Sequence, residues 1–218
     1  MHKSINNLIS LQSELKTKLD VSSKLNIVAV SKTFKNEDIL PLIHHGHKHF
    51  GENKVQEAIE KWSILKKEFP DINLHMIGKL QTNKVKFVVP LFDYIHSLDN
   101  VKLAEKISAE QKKNNKRLKI FIQVNFENEK QKGGISPNEL KNFYDICTSE
   151  LNLNIIGLMC IPPNDNKTHE YFSLMKMLKN KIDVGELSMG MSNDYLIAVE
   201  YEATFVRIGS KIFGNRSK

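Results

Sequence analysis

The chain is poor in the residues that mark several common protein classes. It has two cysteines, Cys147 and Cys160, and one tryptophan, Trp62, in 218 residues. Two thiols do not make a disulfide framework at this length, so the expectation is a reducing, cytoplasmic compartment. Arginine is scarce: of the 32 basic residues only Arg117, Arg207 and Arg216 are arginines. The net charge of +7 is therefore carried almost wholly by lysine. Recognition of bases and phosphates favours the planar guanidinium fork, so the charge reads as a compositional bias and not as a nucleic-acid surface. No apolar run approaches the ~18 residues that span a bilayer, and the first 20 residues lack the continuous apolar core of a signal peptide, so no membrane partner is expected. Ten glycines and six prolines are scattered and do not gather into a linker. One domain over 1–218, with a leading helix at 1–22, is the expectation. No Gly-x-Gly-x-x-Gly follows the first strand, which counts against a doubly wound dinucleotide fold.

The chain does contain a repeated alternation. Short β-branched or apolar runs fall at 24–31, 48–51, 73–77, 92–96, 118–124, 153–159, 186–188 and 204–208. Helical spacing fills the intervals: 36–45, 55–68, 82–88, 101–114, 137–149, 168–180 and 194–201. Strands alternating with helices imply a parallel sheet, and eight units in little over 200 residues predict a minimal (β/α)8 TIM barrel. In that fold chemistry gathers at the strand C-termini.

Lys32 directly follows the first strand, in Val28-Ala-Val-Ser-Lys32. A lysine leaving an apolar strand enters a partly desolvated mouth, where the free amine needed for a Schiff base is favoured; a solvated lysine is the alternative. Asn53 ends the second strand and serves either a ligand hydroxyl or a helix cap. The third strand carries His75 and ends at Gly78. The loops after strands seven and eight, Ser188-Met-Gly-Met-Ser192 and Arg207-Ile-Gly-Ser210, have small and hydroxyl residues where such barrels hold phosphate; ordinary turns would use the same residues. Lysine, phosphate loops and arginine together describe a site for a phosphorylated aldehyde. A Schiff-base aldolase uses some of the same parts, but its lysine more often lies on a later strand.

Seven segments carry a closer likeness. Ile27-Val-Ala-Val-Ser-Lys-Thr33, His49-Phe-Gly-Glu-Asn-Lys-Val-Gln-Glu57, His75-Met-Ile-Gly-Lys-Leu-Gln-Thr-Asn-Lys84, Gln123-Val-Asn125 with Gly133-Gly-Ile135, Gly157-Leu-Met-Cys-Ile-Pro162, Leu187-Ser-Met-Gly-Met-Ser192 and Val206-Arg-Ile-Gly-Ser-Lys-Ile-Phe-Gly214 stand in order over about 24–216. They closely resemble the pyridoxal phosphate homeostasis protein family. The resemblance implies a fold type III pyridoxal 5'-phosphate (PLP) barrel, like the N-terminal domain of alanine racemase. It implies Lys32 as the lysine holding PLP in an internal aldimine, with Asn53 and His75 in the cofactor-binding set. Phosphate would lie on the loop of Ser188, Met189 and Ser192 and on Gly209 and Ser210, and Arg207 would face the ring nitrogen. Leu74 and Lys79 depart from the family, which often has Trp and Pro there.

The family role implied is PLP carriage and vitamin B6 homeostasis, with PLP-dependent apoenzymes as acceptors, rather than catalysis. The alternative is a low-activity racemase of the alanine racemase type. Racemisation needs an electron sink and proton donors on both substrate faces. An arginine at the ring nitrogen weakens the sink, since its cation opposes a second positive charge. The chain stops after the eighth unit, where alanine racemase adds a second domain that supplies a tyrosine; a monomer is expected for the same reason. The histidines at 44, 45, 47 and 49 read as a surface loop on the face opposite the mouth, and no metal is expected.

Overall fold

The computed structural model describes residues 2–18, 24–126, 133–163 and 165–214. Eight parallel strands close into one barrel in sequence order. They are β1 (Asn26–Val30), β2 (His49–Glu52), β3 (Asn73–Met76), β4 (Tyr94–Leu98), β5 (Lys119–Val124), β6 (Ile155–Cys160), β7 (Glu186–Ser188) and β8 (Phe205–Ile208). Closure is made by β1 on β8, with Val28 beside Arg207 and Ala29 beside Ile208. That register places Val30 next to Gly209, so the first and last loops share one edge of the mouth.

Around the barrel lie α1 (Lys3–Lys16), α2 (Asn36–His44), α3 (Val55–Glu68), α4 (Val85–Leu91), α5 (Val101–Asn114), α6 (Leu140–Asp145), α7 (Thr168–Lys181), α8 (Tyr195–Glu200) and α9 (Ser210–Phe213). The helix expected at 82–88 is split: a 3-10 turn at Thr82–Lys84 precedes α4. The one expected at 137–149 starts later, at Leu140, and its last turn widens to a π-helix at Ile146–Glu150. The tail expected after the last strand contains α9. The expected leading helix at 1–22 ends at Lys16, and residues 1 and 19–22 lie outside the described residues.

Two apolar layers hold the fold. The larger lies between sheet and helices, where Leu8, Leu11 and Leu15 of α1, Ile39 and Leu42 of α2 and Trp62 of α3 meet the outward side chains of the strands. The helical spacing of those leucines is what seats α1. The smaller layer is the barrel interior: Val28, Tyr94, Phe121, Met159 and Phe205. Its aromatic rings surround polar side chains, with His75 stacked on Tyr94 at 4.1 Å and His96 on Phe121 at 4.3 Å between centroids. No described helix is long and apolar enough to cross a membrane.

Candidate functional site

A cleft of about 980 Å³ opens at the C-terminal ends of the strands. Lys32, Asn53, Ser192, Arg207, Gly209 and Ser210 all line it. Six of the nine residues singled out in the sequence are thus brought together from the ends of β1, β2, β7 and β8. The other three are not on its surface. His75, Ser188 and Met189 are wholly buried. The reason is position along the strand: His75 lies on β3, three residues below the Gly78 turn, and points into the interior among the rings. Ser188 is the last residue of β7 and is held under Arg207. Met189 packs with the outer core. All three lie beneath the surface of the cleft.

The surroundings of Lys32 are built by a buried polar network that the sequence did not announce. Glu52, at the end of β2, is fully buried, and its Oε1 accepts from Ser31 Oγ (2.7 Å), Trp62 Nε1 (3.0 Å) and Lys61 Nζ (2.7 Å). Lys61 Nζ also donates to the Ser31 carbonyl at 2.8 Å and to Glu57 Oε1 at 2.8 Å. Glu57 accepts the backbone N–H of Thr33. The residues on both sides of Lys32 are therefore pinned to α3. Thr33 has φ of 68°, a left-handed conformation that a β-branched residue adopts only when its surroundings enforce it. Burial pushes the Glu57 carboxyl up, but its bonds from Lys61 and Thr33 outweigh this and hold it below the ordinary range. Burial pushes the Glu52 carboxyl up against the pull of Lys61. Removing Glu52 takes the buried acceptor from Ser31 and Trp62 and leaves Lys61 with Glu57 as its remaining carboxylate, so Glu52→Ala should destabilise the fold by about 3 kcal/mol. Urea unfolding checks this, and an unchanged midpoint would refute it.

Elsewhere at the mouth, Gly78 lets the chain after β3 lie against the backbone of Asn53; a Cβ there would sit 2.3 Å from the Asn53 carbonyl oxygen. Gly190 turns the chain after β7 with φ of 89°. Phe34 stacks on Phe213 at 4.7 Å, which ties the first loop to α9. Arg207 is 4% exposed. Its Nη1 donates to Ser188 Oγ (2.7 Å) and its Nη2 to the Cys160 carbonyl (2.8 Å), which fixes the guanidinium plane. No ion pair to Arg207 occurs among the described residues. Cys160 serves through its backbone, and burial pushes its thiol up to about 12, so it is inert as a nucleophile at neutral pH. Of the tyrosines, Tyr94 fills the barrel interior and is not at the mouth.

The floor of the barrel differs from its sequence reading. His44 and His45 are exposed, as a surface loop requires. His47 turns inward: its ring packs edge-on to Phe50 and its Nε2 lies 2.9 Å from the His49 carbonyl. His49 reaches His75 inside the barrel, its Nδ1 at 3.0 Å from Nε2. A run of four histidines around one glycine gave no sign that two faced in. The alternating side-chain parity of β2 and β3 was the available signal.

Residues 7–217 match the family model described as alanine racemase, N-terminal domain. The chain is 39% identical to the pyridoxal phosphate homeostasis protein of Aquifex aeolicus, over 87% of this chain and 86% of that protein. It is similar to PipY of Synechococcus elongatus without PLP, with 32% identity and a TM-score of 0.86 over 98% of this chain and 100% of that one. The structure of PipY with PLP bound matches at 32% identity and a TM-score of 0.83, over 93% and 98% of the two chains. By sequence, fold and the residues gathered at its mouth, the chain belongs to the pyridoxal phosphate homeostasis protein family.

Proposed function

We propose that the cleft binds pyridoxal 5'-phosphate through Lys32 and that the protein serves intracellular PLP (vitamin B6) homeostasis. The observation that carries this reading is the meeting of Lys32, Arg207 and the Gly209–Ser210 turn at one mouth, joined by the pairing of β1 with β8. The residues fit the cofactor. Arg207 is a buried cation whose fixed guanidinium edges the cleft, suited to a ring nitrogen that stays unprotonated beside it. Ser192 and Ser210 supply hydroxyl donors for a phosphate, and the backbone N–H groups of Ser210 and Lys211 precede the first bonded N–H of α9, that of Ile212 to the Gly209 carbonyl. The cleft volume lies within the range of small-molecule sites. When bound, PLP supplies an aldehyde that condenses with an amine. Lys32 provides that amine, and the Glu52–Lys61–Glu57 network holds the backbone that presents it.

The relatives named for homeostasis and the PLP-bound PipY support the same reading. In this proposal the mouth lets PLP pass to acceptor apoenzymes in the cytoplasm, from a protein that acts as a monomer. A mixing experiment with a purified apoenzyme tests the transfer, since a carrier should raise its rate of activation above that given by free PLP. Exchange of amino-acid α-protons would instead support the racemase.

Gly209 separates binding from folding. A Cβ there meets Val30 no closer than 3.5 Å, an ordinary contact, and the residue lines the cleft. Gly209→Ala should therefore unfold at the wild-type urea midpoint while PLP affinity falls about tenfold, or ~1.4 kcal/mol. Equilibrium titration of PLP checks it; unchanged affinity would remove the loop from the site.

A further inference from the structure

A hydrogen-bonded row of side chains runs along the barrel interior from the floor to Arg207. His49 Nδ1 lies 3.0 Å from His75 Nε2, His75 Nδ1 lies 2.9 Å from His96 Nε2, and His96 Nδ1 lies 2.8 Å from Ser188 Oγ, which accepts from Arg207 Nη1 at 2.7 Å. His75, His96 and Ser188 are fully buried. Five strands contribute: β2, β3, β4, β7 and β8.

We propose that this row is a hydrogen-bond chain of fixed donor direction in which Ser188 and His96 are positioning residues that aim Arg207 into the cleft. The direction follows from chemistry. Arginine has five donors and no acceptor, so the end at Arg207 can only give. Ser188 Oγ has two polar neighbours among the described residues, Arg207 and His96. Were His96 Nδ1 to donate as well, the hydroxyl hydrogen would be buried without an acceptor. The hydroxyl therefore donates to a bare His96 Nδ1. His96 then carries its proton on Nε2 and donates to His75 Nδ1, and His75 Nε2–H in turn donates to His49 Nδ1. All three rings take the Nε2–H form. A doubly protonated ring anywhere in the row would set donor against donor.

Electrostatics agree with neutral rings. Burial, then the neighbouring His96 and His49, hold His75 well below the usual histidine range; burial, then Arg207, does the same for His96. The charged groups that act on the row are Lys119, Asp93 and Lys48 at the floor and Arg207 and Asp194 at the mouth. Arg207 has no carboxylate within ion-pair distance, so the aligned dipoles of the row stand where a counter-ion would. They accept from one edge of the guanidinium and leave another for the cleft. The donor order stands on these residues alone; its consequence for a ring nitrogen rests on the proposed cofactor.

Long-range proton–nitrogen NMR of ¹⁵N-histidine-labelled protein without cofactor reads each tautomer directly, with assignment by single His→Gln variants. The expected result is the neutral Nε2–H form at His49, His75 and His96. In Ser188→Ala, His96 should lose that fixed form and populate Nδ1–H, and Ser188→Thr should restore it. An Nδ1–H or doubly protonated His75 or His96 in the wild type overturns the chain, as do tautomers unchanged in Ser188→Ala. If Ser188→Ala fails to fold, the wild-type tautomers decide. With PLP added, the visible band should shift in Ser188→Ala and return in Ser188→Thr; an unshifted band overturns the positioning role. Absence of any band in the wild type refutes PLP binding and leaves the tautomer result standing.

Discussion

Lys32→Ala should abolish the covalent link to PLP. Wild-type protein mixed with PLP and reduced with borohydride should carry one pyridoxyl group, and peptide mass spectrometry should place it on Lys32. The variant should carry none there and lose at least about a hundredfold in affinity, ~2.8 kcal/mol, keeping only phosphate and ring contacts. Lysine is abundant, so the specificity must come from placement. Lys32 follows a strand buried from Ile27 to Val30, lines the cleft, and is flanked by Ser31 and Thr33, which are anchored to α3. The competing amine Lys61 is occupied by Glu52, Glu57 and two backbone carbonyls. Lys32→Arg should behave as the alanine variant does, because a guanidinium keeps the charge without the nucleophile. An adduct mapped to another lysine, or one surviving in Lys32→Ala, would refute the assignment.

Stability should collapse on mild acidification. Burial first, and neighbouring charges next, lower His47 and His49 from 6.5 to about 4, and hold His75 and His96 well below 6.5. The unfolded chain then binds more protons than the folded one at any pH between the two values, so stability rises with pH there. Their contribution is complete above 6.5 and is lost as pH falls through that window toward 4. A histidine held neutral costs at most about 1.4 kcal/mol per pH unit, and less near pH 6.5 where the unfolded imidazole is only half protonated, so His47 and His49 alone cost about 3 kcal/mol between pH 6.5 and 5. That is a large part of the stability of an ordinary domain. Urea midpoints should drop steeply from about pH 7 to pH 5, and less steeply in His49→Gln. A flat profile would mean that the interior histidines are already charged or solvated.

The same histidines show where reading the sequence stops. Alternating strand and helix patterns determined the barrel, because eight short apolar runs each flanked by helical spacing admit few other folds. Strand-end position was enough to single out Lys32, Asn53, Ser192, Arg207, Gly209 and Ser210, since parallel strands deliver their C-termini to one face. What a one-dimensional pattern does not contain is distance across the barrel. Glu52 and Lys61 look like surface charges, yet they meet inside because β2 and α3 pack face to face. His75 and Ser188 look like ligands, yet they lie beneath the cleft because a side chain's depth depends on where its strand crosses the barrel axis. Local periodicity determined the fold and the members of the mouth. Closure of β8 onto β1 decided which of them share an edge of the mouth, because its register sets Val30 and Gly209, from opposite ends of the sequence, side by side.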